Sequence, residues 1–186
     1  MNALRIAALV VVVAVACRDR TLKGSAITPP KAVPHIELTS ATGNPVTLTS
    51  GKPTLVFFGY THCPDVCPTT LADWARIRQR LGARANNVQF LFVSIDPERD
   101  TPTVAQNYVE KFDSGIVAVA PDSSSLSALQ QALGASSFRD TATSGGEYLM
   151  AHSSQTFLLN GKGEFIALYS FGSGWDTMLH DVEMQL

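Results

Sequence analysis

Two of the three cysteines lie close together in the segment 58-FGYTHCPDVCPTTL-71, where three residues separate Cys63 from Cys67. Residues four apart are neighbours on one face of a helix, so both sulfurs can point the same way. A helix N-terminus stabilises thiolate, which is the form that attacks disulfides and binds metals. The pair can therefore hold a metal ion, exchange disulfides or form a structural disulfide, and its spacing alone does not decide between these.

The predicted elements around the pair explain how the cysteines are positioned. The apolar run at residues 54–60 predicts a buried strand, and apolar residues at helical spacing after Pro68 predict a helix that stops at Gly82. A second buried strand is predicted at residues 88–95, and capping residues followed by a proline at 100–102 predict the next helix start. The cysteines therefore fall where the first central strand gives way to its helix.

The order of all elements predicts an α/β, thioredoxin-like fold with an N-terminal β-hairpin extension and an inserted loop before the last hairpin. Chemistry in open α/β sheets is carried at the carboxyl ends of the strands, which is where the cysteines fall. The other predicted elements are a hairpin at residues 36–50, a strand at 116–120, a helix at 123–133, an irregular loop at 135–151, a hairpin at 155–171 and a closing helix from Trp175.

A distant histidine, His152, is predicted to complete the site. In a thioredoxin-like fold the segment before the last hairpin lies beside the reactive cysteines and normally contains a cis-proline. Here that segment reads 150-MAHSSQTFLL-159 and has no proline. Two thiolates and one imidazole form a soft, three-coordinate set that suits Cu(I), or Cu(II) with another ligand. Structural zinc would require four protein ligands, and no fourth is obvious in the sequence.

Two other functions are compatible with the same residues. A thiol-disulfide oxidoreductase or peroxidase would use Cys63 to attack and Cys67 to resolve, without metal; the missing proline argues against it. A binding module could carry an incidental Cys63–Cys67 disulfide. Between these, the sequence favours a metal-binding protein that does not turn over a small substrate.

The N-terminus predicts export and attachment to a membrane. Residues 6–16 form an apolar run that is too short to span a bilayer, and 14-AVAC-17 resembles a lipoprotein cleavage site with Cys17 as the lipidated residue. We therefore expect a signal peptide at residues 1–16, a lipid-anchored flexible tether at 17–34 and the folded domain at 35–186. Export implies an oxidising compartment, where the remaining cysteine pair can close into a disulfide.

Composition limits the partners. The 186 residues are 45% hydrophobic and 16% charged, with a net charge of −2. Such a balance has no basic excess, so nucleic acid is not a predicted partner.

Three separated blocks of the sequence, FGYTHCPDVCPTTL, VSIDPERDTP and AHSSQTFLLNGKGEF, together resemble the Sco/SenC family of copper chaperones. The resemblance runs from about residue 35 to the C-terminus. It implies a thioredoxin-like fold and copper bound by Cys63, Cys67 and His152.

The same resemblance implies service to cytochrome c oxidase. The protein would help assemble the dinuclear copper centre of oxidase subunit II, by delivering copper, by reducing that subunit's cysteines, or both. A periplasmic copper donor or a thiol reductant is a further candidate partner. Many family members are held by a transmembrane helix, whereas lipid on Cys17 is the anchor predicted here, on the periplasmic side of a bacterial membrane.

Overall fold

In this computed structural model, which describes residues 21–140 and 148–186, strands alternate with helices. The strands are β1 (Ser25–Ala32), β2 (Leu38–Thr39), β3 (Pro45–Val46), β4 (Thr54–Gly59), β5 (Gln89–Ser94), β6 (Ile116–Val119), β7 (Ser137–Asp140), β8 (Leu149–His152), β9 (Thr156–Leu159) and β10 (Glu164–Tyr169). The helices are α1 (Val66–Leu81), α2 (Pro102–Val109), α3 (Ser123–Leu133) and α4 (Trp175–Met184), with a 3-10 turn at Gly82–Asn87.

Six of the strands form one mixed sheet in the order β1-β10-β9-β4-β5-β6. Strands β4, β5 and β6 are parallel, and β4 pairs on its other side with antiparallel β9. Both β4 and β5 are almost continuously apolar because helices cover the two faces of a parallel sheet. This arrangement is a thioredoxin-like fold, as the sequence predicts, and the predicted N-terminal hairpin is present as the short pair β2–β3.

Helix α1 packs the cysteine segment onto the sheet. Its buried positions recur at helical spacing, and Trp74 is fully buried with its ring edge-on to Phe57 of β4 and Phe90 of β5. Such aromatic pairs add to the free energy of simple area burial. The N-terminal turn of α1 is therefore held rigidly at the carboxyl end of β4.

The N-terminal part of the described chain differs from the prediction. Strand β1 pairs antiparallel with β10 at the sheet edge, so residues 25–32 of the predicted 17–34 tether are part of the sheet, ahead of the predicted domain start at His35. The prediction failed because β1 is exposed and contains Pro29 and Pro30, which remove alternation. An edge strand tolerates proline, and the pairing register shifts between Ala26 and Lys31.

The predicted signal peptide and the predicted lipidation of Cys17 fall outside the described residues. Among the helices of residues 21–140 and 148–186, none is both long and apolar enough to cross a bilayer.

The segment before the last hairpin also differs from the prediction. Strands β7 and β8 pair antiparallel where an irregular loop was expected, with Ser137 opposite His152 and Asp140 opposite Leu149. Residues 141–147 of the predicted loop lie outside the described part. The strand signal is weak because much of this hairpin is exposed, as Phe138 at 65% illustrates. His152 is thus placed by a strand.

A buried carboxylate, Asp181 of α4, fixes the N-terminal strand to the C-terminal helix. It accepts hydrogen bonds from the backbone N–H groups of Lys23 (2.8 Å) and Gly24 (2.8 Å) and from the Tyr169 hydroxyl (2.9 Å). The Nδ1 atom of the neighbouring residue, His180, lies 2.8 Å from Oδ1 of Asp181. Burial, and then the Asp181 charge, raises the pKa of Tyr169, so the phenol remains a donor.

We predict that Asp181→Ala destabilises the domain by about 3 kcal/mol, because three donors lose their partner in a buried site. Urea unfolding of the reduced protein measures this change. Tyr169→Phe is the matched variant: it removes one donor and leaves the backbone bonds intact, so a loss of about 1 kcal/mol is expected. Equal stability of Asp181→Ala and wild type would show that this carboxylate does not hold the strand.

Candidate metal centre

Cys63 and Cys67 lie on either side of the start of α1. Cys67 is the second residue of the helix and is fully buried, whereas Cys63 precedes the helix and is half-buried. The backbone N–H of Cys67 donates to the Cys63 sulfur at 3.4 Å, as helix N-terminal donors do for anions. Pro68 occupies the next position, where its missing N–H would have no helical partner.

Gly59 at the end of β4 makes room for the buried sulfur. A Cβ atom at this position would lie 2.8 Å from the Cys67 sulfur and 2.7 Å from the Phe92 ring. Glycine is needed here because the strand backbone approaches the thiol too closely for any side chain.

His152, the last residue of β8, presents one ring nitrogen to the cysteines. Its Nδ1 lies 2.9 Å from the carbonyl oxygen of Ser153, and a carbonyl only accepts, so Nδ1 carries the proton. In the neutral ring the lone pair of Nε2 is then available for a metal, whereas in the protonated ring Nε2–H donates to the Cys63 thiolate. The rings of Phe57 and Tyr60 pack edge-on against the imidazole, with centroids 6.0 Å and 5.9 Å away.

The structure brings the three predicted residues together. The sulfurs of Cys63 and Cys67 and a ring nitrogen of His152 all lie within 4.8 Å of one another. Three ligands each about 2.3 Å from a metal in a trigonal plane would be about 4 Å apart, so little movement is needed for all three to bind. Of the histidines, cysteines and carboxylates in the described ranges, these form the one such cluster, and His62 does not belong to it.

The pKa values of the two thiols are shifted in opposite directions. The hydrogen bond from the Cys67 thiol, with help from His152 and the Cys67 N–H, lowers the pKa of Cys63 to about 3, although burial opposes this change. The hydrogen bond to Cys63, followed by burial, raises the pKa of Cys67. Without metal, Cys63 is therefore the thiolate and Cys67 the proton donor.

Asp100 holds the loop that leads to Cys63. It is 1% exposed and accepts hydrogen bonds from the Thr61 N–H (3.0 Å), the Thr61 hydroxyl (2.6 Å) and the Ser94 hydroxyl (2.6 Å). The sequence suggests a helix-capping role for Asp100, but Thr101 is the cap: its hydroxyl accepts from the Val104 N–H at 3.2 Å. Asp100 thus acts on the cysteine loop.

A second buried carboxylate, Asp96, holds the hairpin that carries His152. The Tyr148 hydroxyl donates to Asp96 at 2.6 Å, and Arg99 donates both to Asp96 and to the Tyr148 carbonyl oxygen, the latter at 3.0 Å. The Tyr148 ring contacts two guanidinium groups. The Cζ atom of Arg99 lies 3.7 Å from the ring centroid, and that of Arg139 lies 3.5 Å from it. We call Asp96, Arg99, Tyr148 and Arg139 the hairpin clamp.

Sequence reasoning missed the clamp because its members lie in two distant segments. The available signal was the charged run 96-DPERD-100 directly after a buried strand, where charges are costly unless they are paired.

Fold and site together define a thioredoxin-like protein with a Cys–Cys–His metal centre. The chain matches the SCO1/SenC family over residues 25–186 and belongs to it. The solution structure of apo Sco1 from Thermus thermophilus is 34% identical, with a TM-score of 0.78 over 89% of this chain and 98% of that one. Bradyrhizobium japonicum ScoI with copper bound is 32% identical, with a TM-score of 0.75 over 83% of this chain and 99% of that one.

More distant relatives extend the comparison. BsSco, a member of the Sco family of cytochrome c oxidase assembly proteins with an identified disulfide switch, shares the fold at 18% identity, with a TM-score of 0.63 over 83% of this chain and 93% of that one. The chain spans less than two thirds of the length of two curated relatives: its match covers 66% of the protein from Stutzerimonas stutzeri and 57% of the protein from Rickettsia felis.

We predict that iodoacetamide modifies Cys63 well before Cys67 at about pH 5, where an ordinary thiol is almost wholly protonated. The lowered pKa keeps Cys63 ionised above about pH 3, while burial protects Cys67. Peptide mass spectrometry of the reduced protein identifies the modified residue. In His152→Ala the onset of Cys63 labelling should move to higher pH. Simultaneous labelling of both residues only above pH 8 would contradict this prediction.

We also predict that Tyr148→Phe raises hydrogen exchange at the β8 amides about tenfold, since one bond of about 1.4 kcal/mol holds the hairpin closed. Mass-spectrometric exchange of peptides containing Met150 measures this. Tyr108→Phe is the matched control, because the Tyr108 hydroxyl is buried with no hydrogen-bond partner. Equal exchange in both variants would rule out a clamping role for Tyr148.

Proposed function

We propose that this protein is a copper metallochaperone of the cell envelope, tethered to the periplasmic side of a bacterial membrane. It would help assemble the dinuclear copper centre of cytochrome c oxidase subunit II. The observation that carries the proposal is the convergence of two cysteine sulfurs and one imidazole nitrogen within 4.8 Å. Membership of the SCO1/SenC family and the copper held by the Bradyrhizobium relative support the same metal.

The donor set suits copper better than zinc. Thiolate and imidazole are soft or intermediate donors, and three of them satisfy Cu(I), whereas a structural zinc site closes with four. Binding would deprotonate Cys67, because a metal ion competes with the proton that Cys63 shares. Half-burial of Cys63 leaves one side of the site open, as transfer of a metal to another protein requires.

The redox state of the cysteines would control copper binding. Cys63 and Cys67 are both free thiols in the structure. When an oxidant of the oxidising compartment takes two electrons from the pair, a disulfide forms, the Cys67 proton is released and two of the three candidate ligands are lost. The Cys63 thiolate can also attack a disulfide of a partner; Cys67 then resolves the mixed disulfide, and the two partner cysteines gain the two electrons and protons.

Reduction of the cysteines of subunit II is therefore a second candidate function. The observation that favours it is the pairing of a thiolate at Cys63 with a protonated, buried Cys67, which is the arrangement of an attacking and a resolving thiol. In either function, a copper donor or a thiol reductant of the same compartment would complete the cycle.

Anchoring is proposed through a lipid on Cys17. The supporting observation is the sequence pattern, in which a short apolar run ends in 14-AVAC-17. Mass spectrometry of the mature N-terminus tests this; a mature chain that starts elsewhere without lipid would exclude it.

Anaerobic titration of the reduced protein with Cu(I), against a chromophoric chelator, tests copper binding. We expect one tightly bound Cu(I), and at least tenfold weaker binding in His152→Ala because a ligand is lost. His62→Ala is the matched control: this histidine adjoins Cys63 but is exposed and lies outside the cluster, so its removal should leave affinity unchanged.

Two results would contradict the metallochaperone. One is an equal affinity in both histidine variants, which would exclude His152 as a ligand. The other is loss of copper to the chelator in every variant while disulfide reduction proceeds at the wild-type rate, which would favour the reductase.

A further inference from the structure

The pairing pattern shows at which end of the domain the N-terminal chain enters. Ser25 of β1 lies opposite Leu168 of β10, Leu168 opposite Phe157 of β9, and Phe157 opposite Val56 of β4. Strand β1 runs antiparallel to β4, so the described residues just before Ser25, from Thr21 to Gly24, lie toward the carboxyl end of β4. That edge of the sheet carries Cys63, Cys67 and His152, and we call it the site edge.

The chain is fixed to the fold almost as soon as it enters. Leu22 packs against the core, and the next two backbone N–H groups, of Lys23 and Gly24, are held by buried Asp181. Four residues, 18–21, separate Leu22 from Cys17. Even when fully extended, this chain spans at most about 18 Å between the two Cα atoms.

We propose that the site edge faces the lipid surface to which Cys17 is anchored. This inference rests on the lipid anchor of the proposed function. A tether of at most about 18 Å, leaving from the site edge, cannot reach around the domain to place the opposite edge against the membrane. The site itself lies three strand spacings across the sheet from β1, about 14 Å, so it remains close to the lipid.

Most of the large apolar side chains that are exposed also lie at the site edge. In the described ranges, four of the five large hydrophobic residues that are exposed lie in segments at the site edge. These segments are the first turn of α2 after β5, the β7–β8 hairpin that ends at His152, and the loop after β10, a strand that runs parallel to β4. The fifth is close to the C-terminus, beyond the end of α4. They are Val104, Phe138, Leu149 and Phe171 at the site edge, and Leu186. Apolar residues concentrated on one side suit a surface that meets lipid.

Energy transfer to a labelled membrane tests this orientation. The full mature chain, with its native N-terminus, is reconstituted into phosphatidylethanolamine–phosphatidylglycerol vesicles that contain a headgroup-labelled acceptor lipid. A genetically encoded fluorescent amino acid, which needs no thiol, replaces either Ser173 or Lys162. Both positions are exposed; Ser173 lies in the loop at the site edge, and Lys162 lies in the β9–β10 turn at the opposite edge.

We expect the rate of energy transfer to be several-fold higher from position 173 than from position 162. The control inserts twenty Gly and Ser residues between Arg20 and Thr21, which adds a flexible reach of about 25 Å. This insertion leaves the lipid and the Asp181 contacts in place, and the difference between the two positions should largely disappear.

Several results would overturn the inference. Equal or reversed transfer in the lipidated chain would show that the site edge does not face the membrane, while leaving the anchor intact. An undiminished difference after the insertion would show that the short tether is not its cause. Transfer between labelled copies at position 173, without transfer to lipid, would assign the apolar residues to a protein contact. A chain without lipid on Cys17 would remove both the anchor and this inference, but not copper binding.

Discussion

The antiparallel pairing of β9 with β4 is the constraint on which the site depends. Cys63 and Cys67 follow β4, and His152, at the end of β8, lies four residues before the start of β9. Because the two strands are antiparallel neighbours, with Phe57 opposite Thr156, the end of one and the start of the other meet at the same sheet edge. A site whose residues are far apart in the chain is thus assembled by backbone hydrogen bonds, and helix α1 then fixes Cys67 within it.

Buried carboxylates refine the positions that the sheet establishes. Asp100 holds the loop before Cys63, Asp96 holds the hairpin of His152 through Tyr148, and Asp181 holds the incoming N-terminal strand. All three are almost fully buried, and each accepts several hydrogen bonds, so leaving any of them unpaired would be costly. The geometry of the metal centre is therefore sensitive to residues that never touch the metal.

The sequence predicts the parts of this structure that local patterns encode. Apolar runs identify β4 and β5, helical spacing identifies α1, and the segment without a proline before the last hairpin points to His152, which the structure places beside the two cysteines. Strand β1 is not predictable in this way, because an exposed edge strand with two prolines has no apolar alternation. Nor are the contacts of Tyr148, which depend on a tertiary approach between two segments with no local pattern.

The proposed function depends on copper binding to two sulfurs and one imidazole. X-ray absorption at the copper edge, on the reduced protein loaded anaerobically with one Cu(I), measures this directly. We expect two sulfur neighbours and one nitrogen neighbour, with the imidazole scattering absent in His152→Ala and present in His62→Ala. A spectrum with sulfur neighbours alone, unchanged by removal of His152, would contradict it.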